Sequence, residues 1–529
     1  MATVNTTATT HPDGRVDLPD HSAIRDSRYY NAELAPVSIG FRTWNTYNYT
    51  ALWMAMAFCV PSYSLAAGLI LLGMSPMQAF MTITLANVIV LVPMLLNSHA
   101  GTKYGIPYPV YARAFFGIRG ANLAAILRGL VACGWFGVQT WIGGSATFAI
   151  IGRLTGEGWV NAAAIGGKPW TLWLCFALFW LGQMVLIWRG MNAVKIFENW
   201  AAPVLALSMI ALAVWIVGEA GGLGTIFSQE SSLGWGLDFW KVFAPSLMAM
   251  IAFWATLSLN IPDFSRFSSS QRRQTVGQIL GLPTSMSFIA ILSIIITSSA
   301  VVVYGERLGE NVNDLFNPVN LINQFEGSLA VFTGLVVIII ATISTNLAAN
   351  VVSPSYDFSN AFPKRISFRM GGLITGIIGV IILPWKLVED PHIYIFTWLE
   401  FYGGALAAVA GVLVAGYWIR ARTYIDVTDL YQERGRYWFS GGWNWPALTA
   451  TVVGGVLAVG GAYSNVDEAG EKLGPFPVDG VIPFLSSLYD YSWIVGFVAA
   501  FLIYLALTAG QSGRPPERAR AEAETEGWF

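Results

Sequence analysis

Charged side chains are scarce in this sequence of 529 residues. Asp, Glu, Lys and Arg make up only 11% of it, whereas hydrophobic residues make up 55%; an average soluble domain carries about 25% charged residues. The net charge of -2 leaves no basic surface of the kind that binds nucleic acid. The composition therefore indicates an integral membrane protein whose partner is the lipid bilayer and not nucleic acid.

Cysteine and histidine are also few. The three cysteines, Cys59, Cys133 and Cys175, lie inside apolar runs without CxxC spacing, so neither a disulfide nor a metal site is indicated. The four histidines fall in predicted tail or loop regions without ligand spacing. A membrane enzyme would need a nucleophile with its base, or a metal cluster, in the spans. We therefore expect no enzyme activity and no cofactor.

Apolar runs long enough to cross a hydrocarbon layer of about 30 Å recur about twelve times. The first 45 residues are polar and lack a basic-then-apolar region, so we expect no cleaved leader. The polar ends, residues 2–15 and 512–529, are expected to be disordered. The predicted spans are centred on Met56, Val88, Ala132, Phe179, Leu207, Ile251, Leu292, Val337, Ile377, Ala410, Val453 and Phe497.

Lys and Arg are distributed unevenly between the two sides of these spans. If the N-terminus is cytoplasmic, 22 of the 29 Lys and Arg residues fall in cytoplasmic segments, six fall on the other side, and Arg128 falls inside the third span. The positive-inside rule requires such an asymmetry. We expect a multi-pass protein of the cell membrane (plasma or inner membrane) with both termini in the cytoplasm.

Two predicted spans contain a proline, and they lie five helices apart. The first reads ALWMAMAFCVPSYSLAAGLI, with Pro61 near its middle, and the sixth reads MAMIAFWATLSLNIPDFSRF, with Pro262 toward its end. Paired interruptions indicate an inverted repeat with a binding site at mid-membrane. The alternative is that these prolines are ordinary, since proline is common in membrane helices.

Amide side chains cluster in two further predicted spans. Trp135 and Gln139 in GWFGVQTWIGG, and Asn346 and Asn350 in STNLAAN, are spaced i, i+4 and so share a helical face. A buried amide needs a partner, which is either a neighbouring helix or a ligand. Each cluster lies in the third helix of its repeat, so a pseudo-twofold axis would bring the two together.

Four other residues allow two interpretations or a simple structural one. Glu400 in FTWLEFYGG marks either a pathway or proton relay, or the outer interface if the tenth span begins later. We expect Arg128 to snorkel from the inner end of its span. Asp263 is expected to form an ion pair or a helix cap. Trp141 is expected to face lipid or to pack against other side chains.

Several longer motifs make the chain resemble one transporter family. From about Ala35 to the last span it carries NSHAGTKYGIPYPVYARAFFGIRGAN, GWFGVQTWIGG, NIPDFSRF and ATISTNLAANVVSPSYDFSNAFPK in this order. The set resembles the nucleobase:cation symporter-1 family, and IDVTDLYQERGRYWF is similar to its allantoin, uracil and hydantoin branch. The resemblance implies an all-α membrane protein with the five-plus-five inverted-repeat fold of the leucine-transporter type and two extra C-terminal helices.

The resemblance also implies how the chain is divided. The expected parts are a cytoplasmic N-terminal tail, two repeats of five helices, the last two helices and a cytoplasmic C-terminal tail. Their boundaries are 1–45, 46–220, 221–422, 423–510 and 511–529.

Family members hold a planar substrate between two indoles and against amides. The matching positions are Trp135 and Trp254 for the indoles and Gln139 and Asn350 for the amides. Indoles grip a flat ring by its faces, at about 1–3 kcal/mol per stacked base, while amides offer both a donor and an acceptor to its edge. Cys59 stands where the hydantoin branch has a glutamine, which ranks allantoin and uracil narrowly ahead of hydantoins.

An ion site follows from the same resemblance. Sodium-coupled relatives use carbonyls that match Ala55, Phe58 and Ala341 and hydroxyls that match Ser344 and Thr345. Oxygen ligands from an unwound helix suit such an ion. The alternative is that the two hydroxyls contact neighbouring helices or bond back to their own backbone.

The expected function is secondary active import of a planar nitrogen heterocycle by cation symport, with alternating access and with sodium as the coupling ion. The alternatives are a proton-coupled permease and a membrane nutrient sensor that binds without transporting. A channel would need a polar ring repeated around a pore, which the pattern does not suggest. The sequence leaves the oligomeric state open.

Overall fold

The computed structural model describes residues 8–510 except residues 190, 225–230, 389–391 and 467–469. Within these residues, six helices are long and apolar enough to cross a membrane, and two further helix pairs qualify if each bent pair is taken together. Three shorter apolar helices accompany them. The C-terminal residues 512–529, expected to be disordered, lie outside the described part.

Each of the twelve predicted centres falls in a helix, and we number these helices spans 1 to 12. Span 10 is π-helical at both ends, at Ile393–Leu399 and Ala415–Arg420. The spans are, in order, Thr46–Ala57 with Val60–Leu71, Pro76–Tyr104, Ala121–Thr155, Trp170–Arg189, Met191–Glu219, Leu237–Phe253 with Ala255–Asn260, Gln271–Leu308, Ser328–Asn350, Phe368–Ile381, Ile393–Arg420, Trp445–Val459 and Ser492–Leu507.

Short elements connect the spans. Three two-stranded hairpins pair Thr9–Thr10 with Val16–Asp17, Ala164–Ile165 with Lys168–Pro169, and Asn465–Val466 with Lys472–Leu473. The short helices are Ser22–Arg25, Ile39–Phe41, Tyr108–Phe116, Glu157–Val160, Pro262–Ser265, Gly309–Phe316, Pro318–Asn323, Val352–Ala361, Pro384–Leu387, Asp429–Tyr431, Pro483–Leu485 and Ser486–Tyr489.

Span 1 is broken where the sequence places Pro61, and its two halves meet at an angle of 59°. Pro61 lies in the first turn of the second half and has no N–H to offer the carbonyl of Ala57, four residues earlier. The backbone N–H of Cys59 donates a hydrogen bond to that carbonyl instead, at 2.9 Å. Phe58, with φ −78° and ψ 69°, is thus the centre of an inverse γ-turn.

Span 6 is interrupted twice. Its first helix ends at Trp254, with φ −100° and ψ 7°, and its second ends before Ile261, next to Pro262. Pro262 begins a short helix, a position where proline costs no hydrogen bond. The sequence pointed to the second interruption and missed the first, which has no proline.

Glycines let span 3 lie directly against its neighbours. A Cβ on Gly137 would collide with the carbonyl of Gly379 in span 9, and one on Gly134 would collide with an indole of span 10. Side chains at Gly143 and Gly144 would run into span 4. These glycines therefore allow span 3 to pack directly against spans 4, 9 and 10.

Residues 8–45 form an ordered N-terminal segment. The expectation of disorder over residues 2–15 is wrong for residues 8–15, because Thr9–Thr10 pairs with Val16–Asp17; residues 2–7 lie outside the described part. Arg42 is buried and donates to the carbonyls of Val37 and Val16, each at 2.7 Å. These contacts explain why the segment is ordered, although its polar composition predicts disorder.

The N-terminal segment is fastened to distant parts of the same face. The hydroxyl of Tyr431 donates to the carbonyl of Leu34 at 2.8 Å. Buried Arg113 donates to the carbonyls of Tyr29 and Leu430, each at 3.2 Å, and to the side chain of Asn360. Burial lowers the pKa of Arg113 to about 10, so it stays charged at neutral pH and holds the three segments together.

Candidate functional site

Spans 3 and 8 run side by side, and the broken part of span 1 faces them. The amide of Asn346 in span 8 donates to the carbonyl of Phe136 in span 3 at 3.1 Å. The side chain of Thr345 lies beside the thiol of Cys59 at the break of span 1. The prediction that the polar clusters of spans 3 and 8 share one place in the molecule is therefore confirmed.

Both predicted indoles join one aromatic cluster. Trp135 lies 5.2 Å from Phe253 and Trp254 lies 4.8 Å from it, measured between ring centroids and in edge-to-face geometry. The indole N–H of Trp135 donates to the hydroxyl of Tyr402 at 3.2 Å. The indole N–H of Trp254 is buried and has no hydrogen-bond partner among the described residues. Trp254 is the residue at the first break of span 6, and this break sets the position of its side chain.

Gln139 is buried beside this cluster, one helical turn after Trp135. Its carbonyl oxygen Oε1 finds no hydrogen-bond partner in the described part of the chain. A buried amide oxygen without a partner carries a desolvation cost of about 1–3 kcal/mol, so most such groups have one. The site can therefore accept a hydrogen bond from a bound molecule at this point.

Asn350 is oriented by its neighbours. Its Nδ2 donates to Oδ1 of Asn346 at 3.0 Å, and Nδ2 of Asn346 donates to Oε1 of Gln183 at 2.7 Å. Gln183 in span 4 donates in turn to the hydroxyl of Thr140 at 3.0 Å. The partners of Asn346 are thus neighbouring helices, which is the first of the two interpretations of a buried amide. This network of hydrogen bonds holds Asn350 in place.

Gln183 is a positioning residue that sequence reasoning missed. It is an amide in the apolar run LFWLGQMVLIW and is 1% exposed. The criterion applied to Gln139, that an amide in hydrocarbon needs a partner, would have found it.

Two of the predicted ion-binding residues of span 8 lie near the break of span 1: Ala341 lines a cavity together with Phe58, and Thr345 lies beside Cys59. The backbone N–H of Cys59 donates to the carbonyl of Ala57. It therefore makes no helical hydrogen bond to the carbonyl of Ala55, four residues before it. Phe58 is the turn residue, and Ala341, Ser344 and Thr345 are buried in span 8. The hydroxyl of Thr345 has no hydrogen-bond partner within the described residues. Carbonyls at a helix break and a free hydroxyl fit a hard cation with oxygen ligands.

Arg128 does not snorkel. It is 0% exposed and forms an ion pair with Asp357, also 0% exposed, with 3.3 Å between Nη1 and Oδ2. Snorkelling was the wrong expectation because a partner carboxylate 229 residues later in the chain lies within reach.

Asp263 accepts a hydrogen bond from the backbone N–H of Tyr108 at 2.8 Å. It thereby caps the helix Tyr108–Phe116, which confirms the cap interpretation.

Glu400 lies inside the helix of span 10, seven residues after its start at Ile393. It is 1% exposed, and its Oε1 has no hydrogen-bond partner in the ranges that the structure describes.

Trp141 packs against Trp173 at 5.5 Å and Trp385 at 5.7 Å between ring centroids. The packing interpretation of Trp141 is confirmed, and it does not face lipid.

A family model described as a permease for cytosine/purines, uracil, thiamine and allantoin matches residues 36–496. The chain belongs to this permease family. It is 37% identical over 491 residues to an allantoin permease of Bacillus subtilis, covering 91% of this chain and 94% of the relative. It is 36% identical over 487 residues to a purine-uracil permease of Arabidopsis thaliana, covering 90% and 78%.

The permease family fold is also seen in a solved structure. Mhp1, described as a nucleobase-cation-symport-1 family transporter in a closed conformation with bromovinylhydantoin bound, matches with a TM-score of 0.72. The identity is 23%, and the match covers 94% of this chain and all of that one. The predicted five-plus-five inverted-repeat fold with two C-terminal helices is thereby confirmed. The protein is a multi-pass membrane permease and not an enzyme.

Proposed function

We propose that this permease imports a planar nitrogen heterocycle, with allantoin and uracil as first candidates, by sodium symport with alternating access. The observation that carries the proposal is the buried, unpartnered carbonyl of Gln139 beside Trp135. The names of its relatives, an allantoin permease and a purine-uracil permease, support the class of substrate.

In this proposal the ring lies between Trp135 and Trp254 and its edge faces two amides. An edge of alternating N–H and C=O groups gives Oε1 of Gln139 the hydrogen bond that it lacks. Asn350 offers its remaining donor and its oxygen, because its other N–H is engaged by Asn346. Cys59, whose thiol lies 3.2 Å from the hydroxyl of Ser62, leaves space where the hydantoin branch has a longer amide.

Sodium would join the carbonyls of Ala55, Phe58 and Ala341 to the hydroxyls of Ser344 and Thr345. Such an ion would hold the break of span 1 against span 8 and so favour the assembled substrate site. By linkage, sodium would raise the affinity for substrate, and substrate would raise the affinity for sodium by the same factor. The position of Thr345 beside Cys59 at the break of span 1 supports this assignment.

We further propose that residues 46–220 and 221–422 are the two repeats, since a broken span begins each of them. The uneven distribution of Lys and Arg supports an orientation in the cell membrane with both termini in the cytoplasm.

Uptake by proteoliposomes tests the proposal. Labelled allantoin and uracil would be supplied with a sodium gradient at fixed pH, and then with a proton gradient without sodium. We expect sodium-driven uptake and counterflow of labelled substrate. Binding without counterflow would favour the nutrient sensor. Transport that ignores sodium and follows the proton gradient would make the ion site wrong and would make Glu400, buried with an unpartnered oxygen, the first coupling candidate.

A further inference from the structure

A large cavity opens on the face opposite the N-terminal segment, which we call the distal vestibule. It has a volume of about 910 Å³ and lies between the end of span 3, the loop after it, the helix Pro318–Asn323 and the turn after span 9. Span 3 begins beside the helix Tyr108–Phe116, to which the N-terminal segment is fastened, so its far end at Thr155 belongs to the other face.

The floor of the distal vestibule is aromatic. Trp141 and Trp385 line it together with Phe148, and the two indole centroids are 5.7 Å apart. Trp141 is buried by packing, whereas Trp385 and Phe148 are only half-buried. The floor therefore offers aromatic surface at which a flat ring can stack.

The rim of the vestibule is polar and electrically balanced. Arg153 and Lys168 line it alongside Glu157 and Asp314, so it favours neither anions nor cations. Asn320 also lines it, and the side chain of this half-buried residue is free of hydrogen bonds to the described parts of the chain. A neutral molecule with hydrogen-bonding groups at its edge matches this lining.

A constriction separates the vestibule from the central site. A small cavity of about 10 Å³ shares Asn317 and Val388 with the vestibule and reaches Tyr394. The ring of Tyr394 in turn contacts Trp135, with 6.1 Å between centroids. This volume holds about one water molecule and no heterocycle, so a molecule in the vestibule and one at Trp135 would be held separately.

We propose that the distal vestibule is a second binding site for the same neutral planar heterocycle that the central site takes. Trp385 stacks against the ring beside Phe148, and Asn320 bonds to its edge. The proposal rests on the proposed function, because it assigns the same class of ligand to both sites. It predicts two bound molecules per chain while the constriction is closed.

The number of molecules bound at saturation tests it. The full-length protein in nanodiscs with sodium would be equilibrated with tritiated uracil and, separately, tritiated allantoin. At the lowest concentration that saturates the wild type with the better ligand, we expect two equivalents for the wild type, one for Trp385→Ala and one for Trp135→Ala. Trp385→Phe should restore the second equivalent because it keeps an aromatic face.

Two further variants guard against misfolding. Asn320→Leu, on the rim, should lower the affinity of the second equivalent by at least fivefold while the first is unchanged. Trp188→Ala, at an indole that is 56% exposed and far from both sites, should leave both equivalents.

One equivalent in the wild type, lost in Trp135→Ala and kept in Trp385→Ala, would overturn the second site and leave the proposed function standing. Binding of neither heterocycle by the wild type would overturn both.

Discussion

Removing one member of the buried pair Arg128–Asp357 should destabilise the protein far more than removing both. In Arg128→Met the carboxylate of Asp357 stays in a place where no water reaches it, since both residues are 0% exposed. Asp357→Leu leaves the guanidinium in the same position. Each single change creates an unpaired buried charge, which typically costs about 3–5 kcal/mol.

The double variant Arg128→Met, Asp357→Leu removes both charges. In the wild type, Nε and Nη2 of Arg128 and Oδ1 of Asp357 have no hydrogen-bond partners within the described residues, so the pair recovers only part of its desolvation cost. Apolar replacements of similar volume are often neutral or stabilising in such pairs. We expect the double variant to lie within about 1 kcal/mol of the wild type, with a coupling energy of about 3 kcal/mol or more.

Free energies of unfolding in lipid bicelles, measured by steric trapping, would check this cycle. Lys241→Met is the matched control, because Lys241 and Asp238 also form an ion pair, at 3.1 Å, but each side chain is 74% exposed; its loss should cost about 0–1 kcal/mol. If both single variants fall within about 1 kcal/mol of the wild type, the pair is solvated and the reasoning fails.

Three further predictions concern the site. Trp135→Ala or Trp254→Ala should weaken heterocycle binding by about 1–3 kcal/mol in protein that still folds; unchanged uptake affinity would refute the indole assignment. Gln139→Leu should cost about 1–3 kcal/mol and alter the ranking among allantoin, uracil, hydantoins, cytosine and purines in a competition assay, whereas a uniform loss would indicate misfolding. Thr345→Ala should weaken sodium affinity, with much of the substrate affinity returning at saturating sodium; a substrate affinity that stays low there would contradict the ion site.

Local patterns in the sequence were sufficient for much of the fold. Apolar runs located all twelve helices because a bilayer sets their length and composition. Pro61 located the break of span 1 because a proline cannot supply a helical hydrogen bond. The i, i+4 spacing of Trp135 and Gln139 placed both residues on one helical face because it depends only on helix geometry.

Features that depend on contacts between residues distant in the sequence could not be predicted from it. The break at Trp254 lies among residues without any helix-breaking signal, in AFWATLS, so packing and not propensity sets it. The fate of Arg128 depends on Asp357, which lies in the short helix Val352–Ala361 after span 8. The roles of Asn346 and Gln183 depended in the same way on which helices are neighbours, and sequence spacing within one helix carries no such information.

The fastening of the N-terminal segment also has a consequence for biosynthesis. Its acceptor at Leu34 is made early, but the hydroxyl of Tyr431 that binds it comes 397 residues later. At about 5–20 residues per second, the segment waits roughly 20–80 s at the ribosome and membrane before this contact can form. The N-terminal segment thus gains this fastening only after most of the chain has been made, and the contact marks a chain in which ten spans have already been synthesised.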